Sequence, residues 1–390
     1  MSLDLRSTLP ALTPEQAAHS GQVMTALRDA IQARSGWLPF DDYLRLVLYA
    51  PGLGYYSAGS AKFGAAGDFV TAPELSGLFA RCVAVQCAQI LGSAGGELLE
   101  LGAGTGRLAL DLMTRLAQLG QTPARYCILE VSAELRERQQ GTLQQLPAEL
   151  RSRVHWLESL PASPITGVIL ANEVADALPF KRFAVGGGEL FERGVALSAD
   201  GALIDADRPA GPDLAAELMR IAPEGWPPQY LSEVCPMMAP WIGSLAAALA
   251  RGTLLLIDYG SPRHEYYHPQ RDQGTLRCHY RQRAHDQPLL YPGVQDISAW
   301  VDFTCVAEGA VGAGLAVAGY CTQAAFLLAT GIEGEVASAD GDLARARLAS
   351  QARALLLPAE MGESFKVMAL TRGLDEPLRG FALQDLRRSL

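Results

Sequence analysis

"LLELGAGTGRLALDLM", residues 98–113, is the stretch that decides the fold of this chain. An apolar run comes first, then glycine at every second position (Gly102, Gly104 and Gly106), then apolar residues at helical spacing. This order predicts a strand, a tight loop and a helix. Glycine lets the backbone approach a ligand closely, and the helix N-terminus offers free N–H groups. The stretch therefore predicts a ligand-binding loop at the end of the first strand of a sheet.

The glycine spacing and two nearby acids distinguish two kinds of ligand. A dinucleotide loop has the pattern G-x-G-x-x-G, which seats a pyrophosphate on the helix N-terminus. Here the pattern is G-x-G-x-G, with Arg107 where the third dinucleotide glycine would stand, and Glu100 lies two residues before the loop. A carboxylate at Glu100 would repel a pyrophosphate and would favour an ammonium or sulfonium cation. Glu130, at the end of the next apolar run, can accept hydrogen bonds from both ribose hydroxyls. Together these residues resemble the S-adenosylmethionine site of class I methyltransferases and disfavour a nicotinamide-dependent oxidoreductase.

Short apolar runs alternate with helical patterns from Glu97 onward. This alternation predicts an α/β fold with a mostly parallel sheet covered on both faces, and the resemblance implies the Rossmann-like, seven-stranded class I methyltransferase sheet. We expect an N-terminal helical segment and cofactor lid over residues 1–95 and a methyltransferase domain over 96–390. Insertions at about 183–250 and 259–322 are too rich in glycine, proline and aromatic residues to be single crossovers. We expect these insertions to form a second lobe.

Composition narrows the class of protein. The chain has 390 residues, 49% of them hydrophobic, and a formal net charge of −10, which predicts a globular protein with a large core and argues against general nucleic-acid binding. Seven cysteines without a C-x-x-C pair predict free thiols in a reducing compartment. Residues 1–20 lack the pattern of a secretory signal and residues 310–332 are interrupted by glycine and polar residues, so we expect a cytoplasmic protein without a membrane span. His264 and His268 have no third ligand at metal-site spacing, so we expect no metal.

The similarity extends beyond the glycine loop. Six segments resemble the MidA-like family: "APGLGYYS" (50–57), "FGAAGDFVTAPELSGLFA" (63–80), "ILANEVADALPFKRF" (169–183), "LLLIDYG" (254–260), "GTLRCHYRQRAHDQPLLYPGVQDISAWVDFT" (274–304) and "ALLLPAEMGESFKVMAL" (354–370). That family comprises bacterial proteins and a mitochondrial complex I assembly factor. The resemblance implies S-adenosyl-L-methionine as cofactor, protein-arginine methylation as in the mitochondrial member, and a protein acceptor such as a respiratory-complex subunit. One departure is Trp300, where many relatives are expected to carry histidine.

The resemblance also implies roles for individual positions. The cofactor site would comprise Gly102, Ala103 and Gly104 at the methionine part, Glu130 at the ribose, Leu157 or Glu158 at the adenine, Asn172 and Glu173 closing the site, and Asp68, Thr71 and Glu74 in a lid near the methionine amino group. Thr71 and Glu74 also have the three-residue spacing of a helix capping box, with Pro73 in the first turn. A capping box would explain both residues without any ligand, and the alternative stays open.

The residues after the expected fourth strand indicate the kind of acceptor. Methyltransferases of exocyclic base nitrogens or glutamine amides carry Asn or Asp there, followed by two prolines and an aromatic residue, whereas this chain has "ANEVADALP" at 171–179. Asn172 is kept but Glu173 replaces the first proline, so the clamp for a flat amide is missing. A carboxylate suits a cation, and an arginine guanidinium forks two N–H groups onto one. We expect Glu173 to be the catalytic acid that holds the guanidinium and Asp176 to be the second candidate, although Asp176 would alternatively cap a following helix.

Two other functions stay open at this point. One is a non-catalytic assembly or interaction protein that retains the cofactor site. The other is an RNA methyltransferase that uses the basic segment 271–285, which contains four arginines and two histidines. That segment could also recruit an acidic partner, but we favour a solvated loop in the insertion as its explanation.

Overall fold

The computed structural model describes residues 9–57 and 71–390. These residues divide into two compact units. The first unit takes its described residues from Met1–Phe69, Ala177–Met237 and Arg263–Trp300, and the second from Val70–Asp176, Met238–Pro262 and Val301–Leu390. Asp68, expected in the cofactor lid, lies outside the described residues.

The elements are numbered in chain order. The helices are α1 Pro14–Ala33, α2 Phe40–Leu44, α3 Ala72–Leu75, α4 Gly77–Ala94, α5 Arg107–Gln118, α6 Ala133–Leu143, α7 Ala148–Arg151, α8 Pro212–Ile221, α9 Met238–Ala247, α10 Arg263–Tyr266, α11 Phe303–Gly312, α12 Gln323–Ala329, α13 Ile332–Ala337 and α14 Asp342–Leu356. The strands are β1 Glu97–Leu101, β2 Tyr126–Leu129, β3 Val154–Leu157, β4 Ile165–Asn172, β5 Lys181–Gly186, β6 Glu189–Leu197, β7 Leu203–Pro209, β8 Gln229–Val234, β9 Leu249–Ser261, β10 Arg277–Tyr280, β11 Arg283–His285, β12 Asp296–Ser298, β13 Val301–Asp302, β14 Ala316–Thr322 and β15 Phe365–Arg372. A π-helix, Arg45–Tyr49, and the 3-10 turns Arg379–Phe381 and Arg387–Ser389 complete the set.

The second unit is built on one eight-stranded sheet. Seven strands follow the order β14-β15-β9-β4-β1-β2-β3, and β13 pairs with β9 beside this path. The five strands from β9 to β3 are parallel, whereas β15 is antiparallel to both of its neighbours. The chain places β2 and β3 on one side of β1 and β4 on the other, so the strand order reverses between β1 and β4. The expected α/β, Rossmann-like fold with a mostly parallel sheet is confirmed.

Burial on both faces explains the apolar strands and helix α4. Continuous apolar runs are typical of parallel strands covered by helices on both sides, and Val168 to Ala171 in β4 are fully buried. Among the described residues, α4 is the helix long and apolar enough to span a membrane. Its side chains Phe79, Val83 and Cys87 are fully buried in the core of the unit. Packing against the sheet therefore accounts for the apolar composition of α4.

The first unit has two antiparallel sheets of its own. Four strands follow the order β7-β6-β5-β8, and three follow the order β11-β10-β12. Helix α1 begins with a complete capping box between Thr13 and Gln16, and its buried face joins a core cluster that includes Phe40 and Tyr43. Strands β10 and β11 form a hairpin whose two loop residues, Arg281 and Gln282, both have positive φ, as a type I′ turn requires.

The structure differs from the sequence-based expectations in several details. The basic segment 271–285 contains that hairpin and is not a plain loop. The contact division differs from the expected boundaries: α4, expected in the 1–95 segment, belongs to the second unit, as do 238–250, 259–262 and 301–322 of the expected insertions. The physical reason is pairing, since β9 and β14 are strands of the large sheet and α11 packs on α9.

Candidate active site

The expected site residues that follow β1, β2, β3 and β4 lie at one edge of the parallel sheet. Strands β1, β2, β3 and β4 run in the same direction, so their carboxyl ends share that edge. The glycine loop follows β1, and Glu173 follows β4, the strand at which the order reverses. Ligands of open α/β sheets bind outside the carboxyl ends of the strands at such a switch point.

The glycine loop has a backbone that favours glycine at all three positions. The φ angles are +60° at Gly102, +53° at Gly104 and +82° at Gly106, values that side chains with a Cβ disfavour. Gly106 precedes α5 as its N-cap, and a Cβ there would lie 3.1 Å from the Cα of Gln139. A Cβ on Gly104 would meet nothing within 4 Å among the described atoms, so there is room for a ligand beside it.

Glu130 is a buried acid with both oxygens hydrogen-bonded. It is 5% exposed. The Ser132 N–H donates to Oε1 at 2.9 Å and the Gln139 amide donates to Oε2 at 3.0 Å. Burial raises the pKa of Glu130, and these hydrogen bonds oppose the rise. A carboxylate oxygen accepts more than one hydrogen bond, so the group retains capacity for the predicted ribose hydroxyls.

Glu100 is buried between strands. It is 2% exposed, and the Tyr126 hydroxyl donates to its Oε2 at 2.7 Å. Burial raises the pKa of Glu100 to about 7, against the lowering effect of that hydrogen bond, and the nearby charge of Glu130 adds to the rise. The role expected for Glu100 beside a cation stays a prediction. A bound cation would favour its ionised form.

This pKa shift predicts how stability depends on pH. The ordinary pKa of a glutamate is 4.5 and that of Glu100 in the fold is about 7, so between these values the unfolded chain is ionised while the folded one keeps the proton. Stability contributed by Glu100 is therefore present below pH 4.5 and lost as pH rises towards 7. We expect Glu100→Gln, which still accepts from Tyr126, to show a smaller loss of melting temperature than the wild type between pH 5 and pH 7.5.

Thermal unfolding of the ligand-free protein at several pH values measures this effect. Glu149→Gln is a matched control because the Glu149 side chain is 84% exposed. Identical pH profiles for the wild type and Glu100→Gln would contradict the prediction.

The segment before α4 does not form the alternative capping box. Thr71 occupies the N-cap position of α3, but its side chain makes no capping hydrogen bond. The Glu74 carboxylate instead accepts from the Thr105 hydroxyl of the glycine loop. Helix α3 ends after one turn, and Ser76 caps α4 by accepting from the Leu78 N–H at 3.1 Å. The capping-box interpretation is wrong because Glu74 is engaged by the glycine loop.

Glu173 has an unusual backbone at the end of β4. Its φ is +54°, a region that non-glycine residues rarely adopt and that is frequent at functional sites. The Asn172 amide donates to Glu173 Oε1 at 3.2 Å, while Asn172 Oδ1 is buried without a partner among the described residues. The strand end therefore presents a carboxylate and a free amide acceptor, both of which suit a donor-rich cation.

Asp258, at the end of the neighbouring strand β9, holds this turn. Its Oδ2 accepts the N–H groups of Val174, Ala175 and Asp176 at 3.2, 2.9 and 3.3 Å. Burial and the negative charge of Glu173 raise the pKa of Asp258 to about 7. Asp258 was missed as a site residue although it lies in the quoted segment "LLLIDYG", because nothing local indicates that β9 lies beside β4.

The remaining predicted site residues are Leu157, Glu158 and Asp176. Leu157 ends β3, and the side chain of Glu158 is 88% exposed and lies 3.7 Å from the Arg136 guanidinium. The alternative for Asp176 as a helix cap is wrong, because the next element is strand β5.

Two further expectations concern residues away from this edge. Trp300, expected to depart from the family pattern, has its ring centroid 4.5 Å from the guanidinium carbon of Arg271. In residues 9–57 and 71–390, no three or more His, Cys, Asp or Glu side chains group as a metal site.

The residues at the sheet edge fit S-adenosylmethionine. Gly104 has open space beside it among the described atoms, Glu130 offers a fixed carboxylate of the kind that binds a ribose diol, and Glu74 and Glu173 provide negative charge for an ammonium or sulfonium group. The roles of the individual residues remain predictions.

Comparisons with known proteins agree with this assignment. The family model Methyltransf_28, which describes S-adenosyl-L-methionine-dependent methyltransferases, matches residues 80–321, well over half of the chain. A crystal structure of a Burkholderia thailandensis protein bound to S-adenosylhomocysteine is 45% identical, with a TM-score of 0.92 over 98% of this chain and 100% of that one. The chain is also 28% identical to the mitochondrial protein arginine methyltransferase NDUFAF7 of Danio rerio, over 86% of this chain and 84% of the relative. For the Mus musculus protein of the same name the identity is 29%, over 91% and 86%.

The Danio rerio and Mus musculus relatives also correct one expectation. Both are named as mitochondrial proteins, which contradicts the expected cytoplasmic location. The MidA-like resemblance and the cofactor are confirmed. The chain belongs to this family, and it is an S-adenosyl-L-methionine-dependent methyltransferase with a class I, Rossmann-like fold.

Proposed function

We propose that this enzyme methylates arginine side chains of a protein acceptor and that Glu173 holds the acceptor guanidinium. The observation that carries the proposal is the geometry at the end of β4. An acid stands there in a left-handed backbone conformation, and three hydrogen bonds from the following turn to the buried Asp258 hold it. A clamp for a flat neutral amide is missing at that position.

The chemistry asks little of the protein beyond positioning and charge. When bound, S-adenosylmethionine supplies an electrophilic methyl group on its sulfonium. The guanidinium stays protonated, with a pKa above about 12, and two of its N–H groups fork onto one carboxylate. Holding the cation in this way localises its charge on the nitrogens that face Glu173 and leaves one terminal nitrogen able to attack the methyl carbon in line. Forming the N–CH3 bond would break the methyl–sulfur bond, whose electron pair stays on the sulfur as a neutral thioether, and the methylated nitrogen would give its extra proton to solvent. Positioning together with electrostatics supplies most of the rate enhancement.

Neighbouring residues support this arrangement. Asn172 donates to Glu173, and its Oδ1, which has no partner in the described part of the chain, can accept a guanidinium N–H. Asp176 is the second candidate for the acidic role. For the cofactor we retain Gly102–Gly104 at the methionine part, Glu130 at the ribose and Leu157 or Glu158 at the adenine, with Thr71 and Glu74 beside the loop.

The relatives support the choice of acceptor. They are named protein arginine methyltransferases, so a protein arginine is the acceptor we propose. The resemblance to a complex I assembly factor makes a respiratory-complex subunit the first acceptor to test.

Mass spectrometry of proteins labelled by this enzyme tests the proposal. Purified enzyme and S-adenosylmethionine with an isotopically labelled methyl group are added to an extract of cells lacking the protein, and tryptic peptides are searched for labelled methylarginine. We expect labelled arginine in one or a few proteins, and none when excess S-adenosylhomocysteine is present. Label on lysine or glutamine would overturn the arginine assignment.

Two further outcomes identify the other hypotheses. Label that disappears on ribonuclease treatment and falls steeply with salt would indicate an RNA methyltransferase. Absence of transfer to any protein or RNA would indicate a non-catalytic assembly protein.

A further inference from the structure

We infer that Gln139 is a positioning residue of the cofactor site, which ties the ribose-binding acid Glu130 to the glycine loop. This inference rests on the proposed assignment of Glu130 to the ribose. Gln139 lies on α6, outside the segments that indicated the site, and its side chain is fully buried.

One amide group connects three parts of the site. Gln139 Nε2 donates to Glu130 Oε2 and to the Gly104 carbonyl oxygen, each at 3.0 Å. Gln139 Oε1 accepts from the Trp156 indole N–H at 2.9 Å. The loop after β1, the acid after β2 and the strand β3 therefore share one side chain.

The chemistry of the partners fixes the orientation of this amide. An indole N–H only donates, whereas an ionised carboxylate and a carbonyl only accept. The amide oxygen must then face Trp156, and both amide hydrogens must face Glu130 and Gly104. A flipped amide would place donor against donor and acceptor against acceptor, so Trp156 selects the orientation that serves the site.

Hydrogen bonds from α6 to two carbonyls of the glycine loop also fix the direction of a backbone N–H of that loop. Gln139 holds the Gly104 carbonyl, and the Thr142 hydroxyl, one turn further along α6, donates to the Thr105 carbonyl at 2.7 Å. The Thr105 N–H belongs to the same trans peptide as the Gly104 carbonyl, and such a peptide points its N–H opposite to its C=O. Because that carbonyl faces Gln139 on α6, the Thr105 N–H points away from α6. Helix α6 thus fixes the direction in which the loop offers a donor.

The same amide holds the carboxylate of Glu130. The Ser132 N–H fixes one oxygen and Gln139 fixes the other, so the plane of the acid is set before any ligand binds. The charged groups that face Glu130 are Arg136 on α6, which lowers its pKa, and Glu100 on β1. Removing the Gln139 hydrogen bond should raise the pKa of Glu130, so that the acid takes up a proton at a higher pH.

The test is the affinity for S-adenosylhomocysteine, measured by calorimetry from pH 5.5 to pH 8.5. Gln139→Met keeps the length of the side chain without its donors, and Gln140→Met is the matched control because Gln140 is the exposed neighbour on the same helix. We expect Gln139→Met to bind S-adenosylhomocysteine about tenfold more weakly than the wild type at pH 8.5. As the pH is lowered from 8.5 to 5.5, its affinity should begin to fall at a higher pH than that of the wild type. Trp156→Phe, which keeps a ring but removes the N–H, should shift the profile in the same direction by a smaller amount. Gln140→Met should match the wild type.

The role of Gln139 and the ribose role of Glu130 on which it rests can be refuted separately. Gln139→Met with wild-type affinity and pH profile would overturn the inference, and so would an equal weakening at every pH, because that pattern indicates a merely structural role. If Gln139→Met does not fold, an unshifted profile for Trp156→Phe overturns it and a shifted one supports it. Glu130→Gln tests the underlying assignment separately, because wild-type affinity in that variant would refute the ribose role of Glu130 whatever Gln139 does.

Discussion

Replacing Glu173 by glutamine is expected to lower methyl transfer to arginine by about 100-fold or more, with the affinity for S-adenosylhomocysteine nearly unchanged. Glutamine has the same shape and can still accept from the Asn172 amide, so the turn and its hydrogen bonds to Asp258 should persist. A neutral amide cannot balance the guanidinium charge or grip it through two equivalent oxygens. Single-turnover transfer, cofactor affinity and melting temperature are measured on the same preparation.

Two further variants make this experiment decisive. Glu149→Gln makes the same change at a side chain that is 84% exposed and should leave all three quantities unchanged. Glu173→Gly relieves a backbone with φ of +54°, which costs a non-glycine residue about 1 kcal/mol, so it should keep or raise the melting temperature while transfer is lost. Full activity in Glu173→Gln would remove the residue from the mechanism and move the acidic role to Asp176. A parallel fall of stability, binding and transfer would indicate a structural role.

The second large effect is expected at the glycine loop. Gly102→Val should weaken binding of S-adenosylhomocysteine by about 100-fold or more, the loss of at least about 3 kcal/mol. The φ of +60° at Gly102 disfavours a β-branched residue, and a Cβ there would already lie 3.4 Å from Val174 Cγ2. The added methyl groups would therefore extend into the space around the loop where the cofactor is expected.

Backbone strain alone must be separated from this loss of binding. Gly120, at the end of α5, has a φ of +69° and open space around its missing Cβ, so Gly120→Val carries similar strain away from the loop. Both variants should melt at lower temperature than the wild type, but only Gly102→Val should lose cofactor binding. Wild-type affinity in Gly102→Val would show that the loop does not contact the cofactor.

Patterns within a single β-α unit were read correctly from the sequence. The apolar run, alternate glycines and amphipathic helix of residues 98–113 form β1, the loop and α5, because these features act over a few residues of backbone. Glu130 and Glu173 follow strands that local composition also predicts. Parallel strands bring their carboxyl ends to one edge of the sheet, so the sequence indicated that these two acids lie at the same edge.

Contacts between distant segments were not accessible in this way. The spacing of Thr71 and Glu74 favoured a local capping box, but Glu74 instead binds Thr105, a residue 31 positions away. The expected insertions included α9, β14 and part of β9, because glycine and aromatic content does not reveal which strand will pair with the central sheet.

The sequence by itself determined the fold class and the kind of cofactor and predicted the ligand-binding loop, since each is indicated by residue types within successive strand, loop and helix units. Only the tertiary structure decided which groups hold the site in place. Asp258 reaches the turn after β4 because β9 is its neighbour in the sheet, 82 to 84 residues further along the chain. Gln139 meets Trp156 and Gly104 because α6 packs closely against the glycine loop. Strand order and helix docking depend on how the whole apolar surface is buried, and no local pattern encodes that choice.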